Sequence, residues 1–318
     1  MRPCYSSFEK HAEYDKIPNQ DPYEQRHELK ERPNIPELEF IKIVGHGNFS
    51  HVYEGKYKNK KVAIKVIERG NEYSINTEIE ILQELSNTSH ITNLLHVFND
   101  PQPILVFDYV NSIYINSFFG IIKLNELKYL LKSVLEALNV AHNKGIVHRD
   151  VKLQNILVEN GFKNIVLIDW GSGAFVSDSL NSKAGSRSIR PPEMLLGYRG
   201  YGTKCDIWAI GILILYFLTN GKIPWKTRSS VTSLLIMSNY FGKSKIIKLA
   251  EKYNLKIPRP LDNQPDEPIL SIESSFISKN KNIYDNNLFN LMNLCLSIDP
   301  NDRPTASMAL SHPFFQNE

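Results

Sequence analysis

Between Leu38 and Lys65 apolar and polar residues alternate, which sends successive side chains to opposite faces and predicts paired β-strands. Inside that stretch Lys58-Asn59-Lys60-Lys61 is polar and basic, the mark of an exposed hairpin turn. In Val62-Ala63-Ile64-Lys65 the pattern puts Val62 and Ile64 on one face, Ala63 and Lys65 on the other. From Ile75 to Leu85 the period becomes helical. Glu78 lies three and four residues before Ile81 and Leu82, so it shares their inward face, whereas Glu80 points elsewhere. Ile104-Leu105-Val106-Phe107 is a short apolar run and predicts a buried strand. Leu124, Leu127, Leu130, Leu131, Val134, Leu135 and Leu138 then recur at spacings of three and four, a core helix that Gly145 can cap. Ile165–Ile168 reads as a further short strand. Ile207–Leu218, interrupted only by Gly211, reads as a buried helix; it is too short for a bilayer, which takes about 20 residues. Mostly β followed by mostly α predicts an α+β fold.

Chemistry-bearing residues punctuate this pattern in a definite order. Gly45-His46-Gly47-Asn48-Phe49-Ser50-His51-Val52 places two glycines in a turn, where backbone N–H groups can approach phosphates. Lys65 shares its strand face with the small Ala63, and Glu78 faces inward from the next helix. His148-Arg149-Asp150-Val151-Lys152-Leu153-Gln154-Asn155 follows the long helix, and Asp169-Trp170-Gly171 ends the strand after it. Pro191-Pro192-Glu193, Asp206 in Asp206-Ile207-Trp208 and Arg303 near the end complete the series.

This order and spacing resemble the motif set of protein kinases. The resemblance implies a bilobal fold, with a β-rich N-lobe, a mainly α-helical C-lobe and an ATP cleft between them. Residues 1–36 would form an N-terminal segment, 37–110 the N-lobe and hinge, and 111–318 the C-lobe, with a single kinase domain over about 38–315. It also implies roles. Asp150 would accept the proton of an attacking hydroxyl, Lys152 would neutralise the migrating phosphoryl group, and Asn155 and Asp169 would hold Mg2+. Val44, Gly45, His46, Gly47, Asn48, Phe49, Ser50, His51 and Val52 would cover ATP. Ala63, Lys65, Glu78 and the hinge residues Asp108 and Val110 would complete its site, with Phe107 at the back. Glu193 would pair with Arg303, and Asp206 would brace the catalytic-loop backbone. Lys152 implies Ser/Thr as acceptor. The rival reading, a pseudokinase scaffold or regulator, requires an essential residue to be missing, and Lys65, Glu78, Asp150, Asn155 and Asp169 are all present.

Within the kinases, several segments are similar to the catalytic subunit of casein kinase II: Trp170 in place of the usual Phe, Ser50 in place of the third loop glycine, Ser186–Glu193, Glu251–Leu255 and His312–Phe315. That family serves acidic substrates through a basic run before the Glu78-type helix. Here Glu68–Ser74 is almost neutral, which predicts a relaxed acidic preference; Lys183, Arg187 and Arg190 remain to bind an acidic residue of the substrate. The resemblance implies a regulatory subunit on the N-lobe, while the turn Asn99–Pro103 looks shortened there. It further implies that aromatics between Tyr5 and Tyr23 pack on the segment from Gly171 to Ser186, leaving Ser177, Ser179 and Ser182 as ordinary loop serines.

Composition narrows the partners. A net charge of +3 over 318 residues, with no block of like charge, points away from nucleic acid. Cys4, Cys205 and Cys295 have no metal-ligand spacing and read as reduced thiols, and Met1–Lys10 lacks the apolar core of a signal peptide. The expectation is an intracellular protein of cytoplasm and/or nucleus, without membrane contact, whose partners are Ser/Thr-containing proteins.

Overall fold

The computed structural model describes residues 33–47, 49–99, 102–113, 118–273 and 281–316. They group into two compact units. The first takes its described residues from 33–113 and from Gln154–Gly171; the second takes Phe118–Leu153 and the chain from Ser172 onward.

Five strands, β1 (Leu38–His46), β2 (Ser50–Tyr57), β3 (Lys60–Ile67), β4 (Leu94–Phe98) and β5 (Ile104–Asp108), make an antiparallel sheet in the first unit. Its order is β1-β2-β3-β5-β4. Lys58 and Asn59 both adopt positive φ (50° and 62°), as a tight two-residue hairpin requires. The alternation seen in the sequence is real: Val62 and Ile64 are fully buried, with Tyr53, Val66, Ile104 and Val106 in the same core. Helix α1 (Glu72–Glu84) begins before Ile75 because Asn71 caps it, its side chain accepting the Ser74 N–H at 2.7 Å. Its buried face is Glu78, Ile81 and Leu82. Strand β4 lay outside the sequence reading. It is an edge strand whose exposure breaks the alternation that would have announced it.

A smaller sheet in the same unit joins β6 (Ser112–Ile113), β8 (Ile156–Glu159) and β9 (Ile165–Leu167) in the order β6-β8-β9. Backbone bonds Thr92 N–H to Leu167 O (3.1 Å) and Leu167 N–H to His90 O (2.8 Å) tie β9 to the segment after α1. Strand β9 therefore delivers Ile168 and Asp169 beside the main sheet.

The second unit is built on α2 (Leu124–Asn143) and α4 (Lys204–Leu218). The predicted leucine face of α2 is fully buried from Leu127 onward, while Leu124 at the helix start is half-buried. Gly145, at φ 70°, takes the left-handed position just past the helix end. Helix α4 is buried nearly all round, as its apolar run predicted. A two-stranded pairing joins β7 (Ile146–Val147) to β10 (Ala174–Phe175), and α3 (Pro192–Leu195) follows. Helices α5 (Ser230–Phe241) and α6 (Lys243–Lys252) were not foreseen. The expected packing of Tyr5–Tyr23 falls outside the described residues, as does the middle of the turn after β4.

Candidate active site

An open pocket lies wholly within the first unit. Val44, Gly45, Val52 and Ala63 line it from the strands, Lys65, Glu78 and Asp169 from its charged end, and Phe107, Asp108, Tyr109 and Val110 from β5 and the residues after it. The mostly apolar lining, with a few convergent charges, suits a small-molecule site. His46, Gly47, Phe49, Ser50 and His51 do not line it; Phe49 is 62% exposed at the turn tip, and Asn48 falls outside the described residues. The turn itself is closed by the Gly47 N–H donating to Ser50 O at 2.8 Å. Leu157, Ile168, Thr92 and Ser112 also line the pocket. Of these, Leu157 was legible in principle, because it alternates with the buried Ile156 and Val158.

Lys65 is the electrostatic centre of this pocket. Its Nζ lies 2.5 Å from Glu78 Oε1 and 3.1 Å from Asp169 Oδ1. Glu78, not Glu80, faces the lysine, as the helical spacing predicted. Burial alone would lower the Lys65 pKa, but the carboxylates of Glu78 and Asp169 outweigh it and raise the value above the ordinary lysine range. The ammonium therefore stays charged. Asp169 sits at φ 64°, a left-handed conformation that is uncommon without glycine. Two residues on, a Cβ built on Gly171 would stand 3.1 Å from Glu78 Oε2, so this turn has little room for a larger residue. Asn155 belongs to the same unit, and its carbonyl accepts the Ile168 N–H at 2.9 Å, which sets the Asn155 and Asp169 backbones side by side.

The Asp150 loop lies in the second unit and has its own scaffold. Asp150 Oδ1 accepts the Ser186 N–H at 2.8 Å, and Lys152 Nζ reaches Asp150 Oδ2 (2.6 Å) and Ser186 Oγ (2.9 Å). The acidic side chain thus takes the backbone N–H of Ser186 and the basic one its hydroxyl, in the segment that follows β10. Gly185 permits this approach. It has φ 65°, and a Cβ there would stand 2.0 Å from Arg149 O. Arg149, itself at φ 64°, donates Nε to Ser172 O at 2.5 Å and Nη2 to Gly173 O at 2.8 Å. Its Nη1 reaches Tyr201 Oη at 3.4 Å, and Tyr201 Oη donates to Asn181 O at 2.7 Å.

Two buried carboxylates hold the scaffold. Asp206 accepts the backbone N–H groups of His148 and Arg149, both at 2.8 Å, and bonds His142 Nε2 at 3.0 Å. Burial pushes its pKa up, but the His142 bond and charge, with the His148 contacts, outweigh this and hold it below the usual value. Glu193 pairs with Arg303 through two 2.7 Å bonds. Both pairings match the sequence expectation.

The three basic residues expected at the substrate differ in what they do. Arg190 is turned onto its own segment, donating to Ala184 O (2.9 Å), Gly185 O (2.7 Å) and Lys183 O. Arg187 is exposed and donates Nη1 to Arg228 O; Lys183 is exposed. The sequence alone gave no means of separating the turned-in arginine from the outward ones.

Among the described residues no helix is long and apolar enough to cross a membrane, and no cluster of His, Cys, Asp and Glu resembles a metal cage. The model of the protein kinase domain family matches residues 38–315. Casein kinase II subunit alpha' of Saccharomyces cerevisiae is 26% identical over 291 residues, covering 89% of this chain and 86% of the relative. The match spans the strands that line the pocket, the Asp150 loop and the Glu193–Arg303 pair. On these grounds the chain belongs to the protein kinase domain family, related within it to the casein kinase II catalytic subunits.

Proposed function

We propose that the protein is a serine/threonine kinase that transfers the γ-phosphoryl group of ATP to hydroxyls of protein substrates. The observation that carries this reading is the junction of Asp150, Lys152 and Ser186. A carboxylate able to accept a hydroxyl proton sits 2.6 Å from an ammonium able to meet the phosphoryl charge. A lysine at this place suits Ser/Thr as acceptor, and the casein kinase II kinship supports the same choice.

The roles follow from chemistry. Lys65, kept charged by Glu78 and Asp169, would bind the α- and β-phosphates. Adenine would lie against Val44, Val52, Ala63 and Leu157, with the backbone from Asp108 to Val110 along its edge. Asn155 and Asp169 offer an amide and a carboxylate oxygen, the hard donors that Mg2+ takes, so these two residues fit the metal. Bound there, the metal would offset the negative charge of the phosphates. Asp150 would take the proton of the acceptor hydroxyl, and Lys152 would stabilise the transferred group. Lys183 and Arg187 would favour an acidic residue just after the acceptor. An intracellular setting agrees with Cys205 and Cys295 being buried free thiols. A pseudokinase is the weaker reading, because every residue the transfer needs is present.

The test is Asp150→Asn with casein and a peptide library as acceptors. Phosphoryl transfer should fall by about 100-fold or more, the scale of general-base catalysis, while ATP binding persists. Wild-type transfer to Ser or Thr that survives this change would refute the assignment.

A further inference from the structure

The loop before α5 carries a basic surface that the proposed chemistry does not use. Lys222, Lys226 and Arg228 are exposed there, next to the exposed Arg187. The loop is ordered by its own hydroxyls. Thr227 Oγ1 donates to Ser229 O at 2.8 Å and bonds Ser233 Oγ at 2.9 Å, and Ser229 Oγ accepts the Thr232 N–H at 3.3 Å. Arg187 ties it to the Asp150 junction. Its guanidinium donates to Arg228 O, while its neighbour Ser186 holds Asp150 and Lys152. Arg228 thus stands one arginine side chain away from the residue that touches the proposed catalytic carboxylate.

No exposed acid offsets this charge nearby in the chain. Between Asp178 and Glu251 the acidic residues are Glu193 and Asp206, both buried and paired, the first with Arg303 and the second with His142 and the backbone of His148 and Arg149. Helix α5 has no acidic residue in its first turn, so its N-terminal dipole adds to the positive field. Arg190, by contrast, is spent on backbone carbonyls of its own segment.

We propose that Lys226 and Arg228 form a specificity subsite for an anionic side chain, carboxylate or phosphate, carried by the protein substrate near its acceptor residue. This rests on the reading of the protein as a kinase of protein substrates. The subsite is distinct from Lys183 and Arg187, which would meet the residue just after the acceptor. It would select a second anionic position. Arginine forks and ammonium groups on an ordered loop suit that recognition.

The test separates the subsite from the reaction. Fluorescein-labelled peptides, each with one acceptor serine and a single Asp, phosphoserine or Ala scanned through four positions on either side, are measured by anisotropy on wild type and on K226A/R228A. Both substituted residues are exposed, and matching thermal midpoints confirm that the fold is kept. At one position other than that just after the acceptor, wild type should bind the Asp and phosphoserine peptides roughly 2- to 30-fold more tightly than the Ala peptide, the worth of two exposed charge contacts. In K226A/R228A that advantage should vanish. Equal binding of anionic and Ala peptides by wild type, or an advantage that persists in K226A/R228A, would overturn the proposal. Transfer from radiolabelled ATP is read on the same peptides. Selective binding without transfer would sustain the subsite and sink the proposed function; transfer without selectivity would do the reverse.

Discussion

Replacing Arg303 by methionine should unfold much of the second unit's stability in one step. Arg303 is 1% exposed and Glu193 is fully buried. The guanidinium gives two bonds of 2.7 Å to the Glu193 carboxylate, and donates further to Ser297 O (2.9 Å), Lys204 O (3.1 Å) and Ile298 O (3.2 Å). It also lies 5.0 Å from the Trp208 ring centroid. Methionine fills the stem volume but leaves a buried carboxylate without its cation, which costs about 3–5 kcal/mol. The orphaned carbonyls add to this, at about 1–3 kcal/mol for any that water cannot reach. A loss of at least about 3 kcal/mol is a large share of the roughly 5–15 kcal/mol that holds a native protein together. Urea unfolding followed by tryptophan fluorescence reads it, since Trp208 and Trp225 are buried in this unit. With a slope near 3 kcal/mol per molar, the midpoint should fall by about 1 M. Adding Glu193→Gln removes the stranded charge, so the double variant should recover part of the loss. A midpoint shift below about 0.3 M for Arg303→Met, or no recovery in the double variant, would refute the view of this pair as a buried structural bond.

Other consequences are as direct. Lys65→Met should lower kcat/KM for ATP-dependent transfer by about 100- to 1,000-fold, the scale of removing one positioned charge, with circular dichroism unchanged; retained activity would show that Lys65 does not serve the phosphates. Gly185→Ala puts a Cβ 2.0 Å from Arg149 O at φ 65°, so the Ser186–Asp150 contact must shift. Turnover should drop about 100-fold with ATP affinity kept, and a fully active variant would contradict the close approach. Asp206 is held below its ordinary pKa in the fold, so the stability it contributes is present above the unfolded value near pH 4 and lost as pH falls through the folded value. Unfolding free energy should therefore fall more steeply below about pH 4 in wild type than in Asp206→Asn, and parallel curves would deny the linkage.

The chain by itself determined the elements whose period is strong. The alternation through Val62 and Ile64, the leucine face of α2 and the apolar run of α4 each state which side is buried, because burying one face is what makes such an element stable. Spacing along α1 was enough to choose Glu78 over Glu80, since a residue three or four positions from two core side chains must share their face. Asp150, Asn155, Asp169, Glu193, Asp206 and Arg303 were singled out differently, by the resemblance of their order and spacing to the protein kinase motifs. Tertiary structure decided the rest. Strand β4 exists because β5 offers it a free edge, not because its own residues alternate. Leu157, Ile168 and Thr92 reach the pocket only because β8 and β9 fold back against the segment after α1. Arg187 and Arg190 are chemically alike in the sequence, and only the fold turns one onto its own carbonyls and leaves the other beside Arg228. Hydrogen bonding between residues far apart in the chain has no period to read, so only the structure gave the contacts of Ser186 with Asp150 and Lys152 and those of Arg187 and Arg190.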